Sequence, residues 1–159
     1  MTEEEFTYAV QRNNQRLFLI ALSFTKNPTD SEDILQNVFL KLWKQADFEN
    51  DEHLDKWLTR VAVNESKNFI KSSFLKKRAP LDEAQDTYTF DSDSDRELFN
   101  SVMELPTKLR TVIHLFYYED MPVREIAEVL KIGESAVKAR LHRARTQLKQ
   151  ILGDEWNDE

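Results

Sequence analysis

Residues 122–148, PVREIAEVLKIGESAVKARLHRARTQL, form the stretch from which the rest of the chain can be interpreted. The pattern predicts two helices separated by a turn at Lys131-Ile132-Gly133. Four apolar residues of the second helix recur at spacings of four, three and four: Val137, Leu141, Ala144 and Leu148. At about 100° per residue they form one narrow stripe that should face a core. Two short helices joined by a tight turn are typical of the helix-turn-helix motif, which reads the major groove of DNA.

The second of these helices is basic, although the chain as a whole is acidic. The net charge of the 159 residues is −7, whereas residues 131–149 contain six Lys or Arg and one Glu. A local basic patch steers binding to a polyanion more than the total charge does. The residues on or beside the face opposite the apolar stripe are therefore candidates for DNA contacts: Ser135, Ala136, Lys138, Ala139, His142 and Arg143. The alternative is an ordinary pair of helices with a solvated basic face.

The composition favours an all-α protein. Two glycines and four prolines leave little material for the tight turns of β-hairpins. The absence of cysteine excludes a disulfide, a thiolate metal site and a thiol nucleophile, and it fits a reducing cytoplasm. No apolar run approaches the roughly 18 residues that a membrane span needs. We therefore expect a cytoplasmic protein that does not insert into a membrane.

The first half of the chain is predicted to form a helical domain over residues 1–77. Its first helix is predicted over Phe6–Phe24 and ends before Pro28, because proline disfavours helix in the residue that precedes it. A second helix is expected to start at Thr29–Ser31, since all three of these residues can cap a helix. Its predicted buried face is apolar: Ile34, Leu35, Val38, Phe39, Leu42 and Trp43. Its other face is polar apart from one leucine: Asp33, Gln36, Asn37, Leu40, Lys41 and Lys44.

A third helix is predicted from about Leu54, after the polar loop 46–53. Residues 56–78 contain seven Lys or Arg and one Glu, so this segment is a second basic patch. Its basic residues are interleaved with asparagines: Arg60, Asn64, Lys67, Asn68 and Lys71. Basic side chains suit phosphates, and amide side chains suit base edges. The helix is therefore a second candidate for binding nucleic acid, and a solvated surface helix is the alternative.

Helical periodicity stops between Ala79 and Arg96. Residues 78–96 contain six acidic and two basic side chains, together with Ser, Thr and Pro. Such a segment is typical of a flexible linker. The prediction is two small all-α domains, residues 1–77 and 97–159, joined by a flexible acidic linker, with the helix-turn-helix in the second domain.

The sequence contains no constellation that would indicate catalysis. Its three histidines are scattered, and none has another ligand at a metal-binding spacing. Its two glycines lie twenty residues apart, which excludes a glycine-rich phosphate loop. We expect no enzymatic activity, no catalytic residue, no cofactor, no metal and no small-molecule substrate.

Three motifs, in this order along the chain, resemble bacterial RNA polymerase sigma factors of the extracytoplasmic-function (ECF) type. Residues 30–39, DSEDILQNVF, resemble the signature helix of that family. Residues 57–69, WLTRVAVNESKNF, are similar to its promoter-melting segment. Residues 105–148 resemble its C-terminal helix-turn-helix. The resemblance covers nearly the whole chain, and the linker stands where this class lacks a middle domain.

The resemblance implies that the first domain recognises and melts the −10 promoter element and that the second reads the −35 element, through the six helix-turn-helix residues given above. It implies −10 contacts from the third helix and the loop before it: Phe48, Asn50, Arg60, Asn64, Lys67, Asn68 and Lys71. It implies that core RNA polymerase docks on one face of the second helix: Asp33, Gln36, Asn37, Leu40, Lys41 and Lys44. A further polymerase contact is expected within Leu109–Tyr117, and an anti-sigma factor is an expected partner.

Three positions depart from the family pattern. Asn37 and Asn68 stand where the family often has Glu and Asp, and Lys131 stands where a glycine is usual in the turn. Lysine would be strained there if the turn needs a positive φ, although Gly133 could relax it. Two other functions remain open at this point. One is a conventional DNA-binding regulator that uses only residues 97–152, and the other is a helical interaction module that sequesters a partner.

Overall fold

A computed structural model describes residues 1–45, 47–76 and 93–153, with side chains through Ser72 in the second range. These ranges contain no strand, which confirms the all-α prediction. They form helices α1 to α7, with a π-helical segment between α5 and α6: Glu3–Thr25, Pro28–Lys44, Asp51–Lys76, Asp93–Met103, Thr107–Ile113, His114–Tyr118 (π), Val123–Leu130 and Glu134–Leu152. Residues 78–92 of the predicted linker lie outside the described residues. Helix α4 begins at Asp93, four residues before the predicted second domain.

Helix α1 begins three residues earlier than predicted because its cap lies upstream of the apolar pattern. The Thr2 hydroxyl accepts a hydrogen bond from the Glu5 N–H, and the Glu5 carboxylate accepts one from the Thr2 N–H, both at 3.0 Å. This reciprocal capping box satisfies two backbone donors that the helix start would leave unpaired. The helix ends at Thr25, and the following Lys26 caps it in the left-handed conformation at φ 55°.

The predicted start of α2 at Thr29–Ser31 was wrong. The helix begins at Pro28, and the Asn27 side chain caps it by accepting a hydrogen bond from the Asp30 N–H at 3.0 Å. Proline suits the first helical position because its fixed φ is already helical and its missing N–H is not needed there. Ser31 is buried, and its hydroxyl donates back to the Asn27 carbonyl at 2.9 Å.

Helices α1, α2 and α3 contact one another pairwise and form the first compact unit, within residues 1–85. Its core is made of side chains that are almost completely buried: Leu17, Ile20, Ile34, Val38, Leu42 and Leu58. Trp43, predicted to be buried, is 50% exposed. Its ring lies at the edge of the unit against Phe6, with 5.1 Å between ring centroids.

A polar network ties the N-terminal half of α3 to α1. The Asp55 carboxylate accepts hydrogen bonds from Arg12 at 2.5 Å and from Asn13 at 3.0 Å. The Arg16 guanidinium donates to the Thr59 hydroxyl at 2.6 Å. The hydrogen bond to Asp55 raises the pKa of Arg12 above its ordinary value. These directional contacts join α3 to α1 beside the buried Leu54 and Leu58, on the side of α3 opposite its exposed face.

The second compact unit, within residues 86–159, packs around α7. The predicted inward stripe of α7 is confirmed, since all four members are between 0% and 2% exposed: Val137, Leu141, Ala144 and Leu148. Helices α4, α5 and α6 all contact α7. Helix α7 ends at Leu152, and the following Gly153 has φ 89°, a conformation that favours glycine.

The turn between α6 and α7 places a lysine in the left-handed region. Lys131 has φ 57° and ψ 47°. The Ile132 N–H donates to the Ala127 carbonyl at 3.1 Å and the Lys131 N–H to the Glu128 carbonyl at 3.3 Å, which closes the helix with a Schellman pattern. Gly133 does not relax this turn, because its φ of −74° is accessible to any residue. The strain at Lys131 therefore stays, at roughly 1 kcal/mol.

The π-helical segment contains a buried histidine. His114 is 1% exposed, and its ring stacks on Tyr118 with 5.0 Å between centroids. Within the described part of the chain, neither of its ring nitrogens has a hydrogen-bond partner. Burial lowers the pKa of His114 from 6.5 to about 3, since the charged form would lose its hydration. His114 is therefore neutral at physiological pH.

Candidate DNA and polymerase interfaces

The outer face of α7 carries short side chains along its centre and basic side chains along its edges. Five of the six residues predicted to contact DNA are exposed, and Ala136 is half-buried. Ser135 and Ala139 have short side chains, which would let the helix backbone approach a groove closely. Lys138, His142 and Arg143 project from the same exposed side and could reach phosphates or base edges.

Two arginines of α7 that are two residues apart have different environments. Arg143 is exposed. The Arg145 Nε instead donates to the Tyr117 hydroxyl at 2.9 Å, and its guanidinium lies 5.5 Å from the centre of the Phe116 ring. Arg145 therefore packs α7 against the π-helical segment, and Arg143 is the better candidate for reading DNA.

The outer face of α3 carries the second predicted DNA surface. Arg60, Asn64, Asn68 and Lys71 are exposed at spacings of four, four and three, so they share one side of the helix. Lys67 is half-buried beside them. The packing of α3 on α1 and α2 leaves this row of basic and amide groups uncovered.

The loop before α3 is built around one histidine, which the sequence analysis did not single out. The His53 Nδ1 accepts a hydrogen bond from the Glu49 N–H at 3.1 Å, and the His53 N–H donates to the Asn50 side chain at 2.8 Å. The half-buried Phe48 meets His53 and Trp57 edge-on, with centroid distances of 5.4 Å and 5.3 Å. The N-x-x-H spacing from Asn50 could have revealed part of this, since the third helical residue is where capping partners stand.

The two predicted parts of the −10 site do not both line the cleft beside the start of α1. A cleft of 330 Å³ lies between the start of α1 and the loop before α3. Phe48 and Asn50 line this cleft together with Tyr8 and Arg12, whereas Asn64 does not. The side-chain oxygen of Asn50 is also occupied in capping α3.

All six residues of the predicted polymerase face of α2 are exposed. Leu40 is 58% exposed and borders a shallow groove whose other apolar walls are Phe6, Phe39 and Trp43. An apolar patch with a polar rim is typical of a protein–protein interface. Lys41 forms an ion pair with Glu65 of α3, which sequence periodicity could not predict because the partners lie on different helices.

Among the residues that the structure describes, no group of three or more His, Asp or Glu side chains could hold a metal ion. Over the same residues, no helix is both long and apolar enough to cross a membrane.

Comparison with known families matches both units. The model of Sigma-70 region 2 matches residues 9–73, and that of Sigma-70, region 4 matches residues 95–148. RNA polymerase sigma factor SigV of Bacillus subtilis is 30% identical over 139 residues, which cover 83% of this chain and 81% of that protein. The chain belongs to the ECF family of RNA polymerase sigma factors. This confirms the family resemblance.

Other ECF sigma factors and solved structures resemble it along most of its length. ECF RNA polymerase sigma factor SigW of Bacillus subtilis is 27% identical over 170 residues, covering 96% of this chain and 91% of that protein. The sigma factor RpoE of Bartonella quintana, solved with the anti-sigma factor NepR, has a TM-score of 0.73 at 18% identity, covering 96% of this chain and 99% of that chain. CnrH, solved with the cytosolic domain of CnrY, has a TM-score of 0.60 at 26% identity, covering 95% and 89%.

Proposed function

We propose that this ECF sigma factor binds core RNA polymerase and directs it to promoters that carry suitable −10 and −35 elements. One observation carries the proposal. Two separate exposed helix faces, on α3 and α7, bear the basic and amide side chains that nucleic-acid recognition needs, and they lie in the segments matched by the region 2 and region 4 models. We infer that RNA synthesis belongs to the polymerase, so that this protein catalyses nothing itself and acts in the cytoplasm.

In the proposed −35 complex, α7 lies in the major groove of the duplex. Ser135, Ala136 and Ala139 allow close approach, while Lys138, His142 and Arg143 contact phosphates and base edges. Arginine is the best suited of these to a specific contact, because its planar guanidinium can donate two parallel hydrogen bonds to one guanine.

In the proposed −10 complex, α3 follows the strand that is separated from the duplex. Arg60, Lys67 and Lys71 neutralise phosphates, while Asn64 and Asn68 contact exposed base edges. A base can be read in this way only after it has been unstacked, which costs a few kcal/mol. Phe48 and Asn50 form the adjacent loop that we expect to accept the unstacked base.

We assign polymerase binding to the exposed face of α2 and the groove beside Leu40. The second polymerase contact, expected within Leu109–Tyr117, is assigned to Phe116 and Tyr117, because residues 109–115 are buried and cannot reach a partner.

We also propose an anti-sigma partner. RpoE of Bartonella quintana and CnrH were each solved with a protein that binds them, NepR and the cytosolic domain of CnrY. The apolar groove on α2 would suit such a partner.

The test is transcription by core RNA polymerase, with and without the purified protein, on a library of promoter sequences. The expected result is a set of start sites absent with core alone, preceded by shared −10 and −35 sequences. No new start site would overturn the proposal. Specific binding to duplex DNA without polymerase would instead favour a conventional regulator, and polymerase binding without new start sites would favour an interaction module.

A further inference from the structure

We propose that His53 is a positioning residue, which holds the loop before α3 in the shape that selects the unstacked −10 base. The inference rests on the proposed function, since it concerns how the −10 element is read. His53 lies outside the residues assigned to DNA contact above. Its side chain would place Phe48 and the backbone of Glu49, which precedes Asn50.

His53 contacts the start of α3 and the loop before it through both its backbone and its side chain. Asn50 precedes the first residue of α3, and its side-chain oxygen accepts from the His53 N–H at 2.8 Å. The His53 Nδ1 in turn accepts from the Glu49 N–H at 3.1 Å. In a capping box a glutamate usually accepts from the N–H of the capping residue itself, whereas here an imidazole accepts from the residue before the cap, Glu49. Because Nδ1 is the acceptor, the ring carries its proton on Nε2.

The same imidazole also orients an aromatic side chain. Phe48 meets His53 edge-on at 5.4 Å and meets Trp57 at 5.3 Å, so it is held between two rings of α3. The His53 side chain therefore holds the backbone at Glu49 and the ring of Phe48, while its backbone N–H holds the cap at Asn50. Phe48 and Asn50 are the loop residues that we expect to accept the unstacked base.

This role is separable from folding because the contacts lie at the surface. His53, Glu49 and Asn50 are all exposed, and the core of the first unit is formed by other residues. Loss of the returning hydrogen bond should loosen the loop without unfolding the unit. A loop ordered in advance favours the base that fits it, whereas a loosened loop can adjust to several bases.

The experiment compares His53→Phe, which keeps a ring and removes the acceptor, with His53→Asn, which keeps an acceptor near the position of Nδ1. Glu52→Gln, an exposed neighbour outside the loop, is the matched control. Each full-length variant is combined with core polymerase on a promoter library randomised over the −10 element. Thermal unfolding and hydrogen exchange of the Glu49 amide are measured alongside.

For His53→Phe we expect a fall of about fivefold in discrimination at the unstacked −10 base, as loss of one neutral hydrogen bond predicts. The Glu49 amide should lose protection, and the melting temperature should stay near that of the unmodified protein. His53→Asn should keep most of the discrimination, and Glu52→Gln all of it.

Two results would overturn the inference alone. One is that His53→Phe still directs transcription from new start sites and its −10 preference equals that of the unmodified protein. The other is an equal loss in both His53 variants together with a lower melting temperature, which would mean a structural role. Absence of start sites with the unmodified protein would overturn the proposed function, and the inference with it.

Discussion

Helices α3 and α7 each present a candidate DNA surface and each bury an apolar side, but side-chain hydrogen bonds contribute more to holding α3. The inner side of α7 is a stripe of four apolar residues that are at most 2% exposed. The N-terminal half of α3 buries Leu54 and Leu58 and is in addition tied to α1 by the hydrogen bonds of Asp55 and Thr59. A stripe of apolar contacts stabilises a helix but fixes its rotation only through packing, whereas directional hydrogen bonds fix rotation directly. The two surfaces should therefore fail in different ways when they are disturbed.

The largest effect is expected at the stripe of α7. Leu141→Ala should lower the free energy of unfolding of the second unit by roughly 2–5 kcal/mol, because it removes buried methyl groups and leaves a cavity. Urea unfolding of the full chain, followed through amide signals of α7 against those of α1, measures it. The exposed Gln150→Ala should change stability by less than about 0.5 kcal/mol. A Leu141→Ala variant as stable as this control would mean that the stripe does not hold α7.

Arg143 and Arg145 separate DNA recognition by α7 from its packing. Arg143→Ala should weaken −35 binding by about 1–3 kcal/mol if the guanidinium contacts one base pair. Arg145→Ala should mainly lower the stability of the second unit, because Arg145 contacts Tyr117 and Phe116. Transcription from promoters that vary only at −35 distinguishes the two. Equal loss of −35 preference in both variants would contradict the assignment.

The second unit should also be sensitive to acid. The unfolded chain binds a proton at His114 below about pH 6.5, but the folded unit does so only near pH 3. The free energy of unfolding is therefore highest above pH 6.5, where His114 is neutral in both states. It decreases as the pH falls from about 6.5 towards 3, because only the unfolded chain then binds the proton. Between about pH 7.5 and 5 the loss should be roughly 2 kcal/mol.

Urea unfolding at several pH values, read again from α7 signals, tests this dependence. His114→Phe keeps a ring that can stack on Tyr118 and should remove most of this loss. If the variant and the unmodified protein lose stability in parallel, carboxylates rather than His114 cause the acid sensitivity.

Removing the hydrogen bonds of α3 should lower the free energy of unfolding less than Leu141→Ala does in α7, but it should change the orientation of the helix. Asp55→Ala removes the acceptor shared by Arg12 and Asn13, and we expect a loss of about 1.5 kcal/mol because the group is partly exposed. The start of α3 should also loosen against α1, which amide hydrogen exchange along Leu54–Leu58 would detect. Glu52→Ala is the control, since its exposed pair with Lys56 should contribute little. Unchanged exchange in Asp55→Ala would show that packing alone orients α3.

The same contrast explains what could be predicted from the sequence. The α7 stripe and the all-α fold follow from periodicity, which depends on residues close together in the chain. The network of Arg12, Asn13 and Arg16 with α3 joins residues about forty positions apart, so no local pattern contains it. No local pattern contains the Lys41–Glu65 pair either, because its partners lie on different helices. The cap at Asn27 was missed for another reason. Several neighbouring residues can cap a helix, and Asn27 is selected because Pro28 suits the first helical position.

The smallest predicted effect lies at the turn that precedes α7. Lys131 has φ 57°, and the family usually has glycine at this position. Lys131→Gly relieves the left-handed strain but adds conformational freedom to the unfolded chain, so the two effects partly cancel. We expect a net gain of roughly 0.5–1 kcal/mol in the second unit, and no change in the first. Gly133→Ala is the control, because φ there is −74° and no atom lies within 4 Å of an added Cβ. A Lys131→Gly variant that is less stable than the unmodified protein would mean that the lysine side chain makes contacts that outweigh its backbone strain.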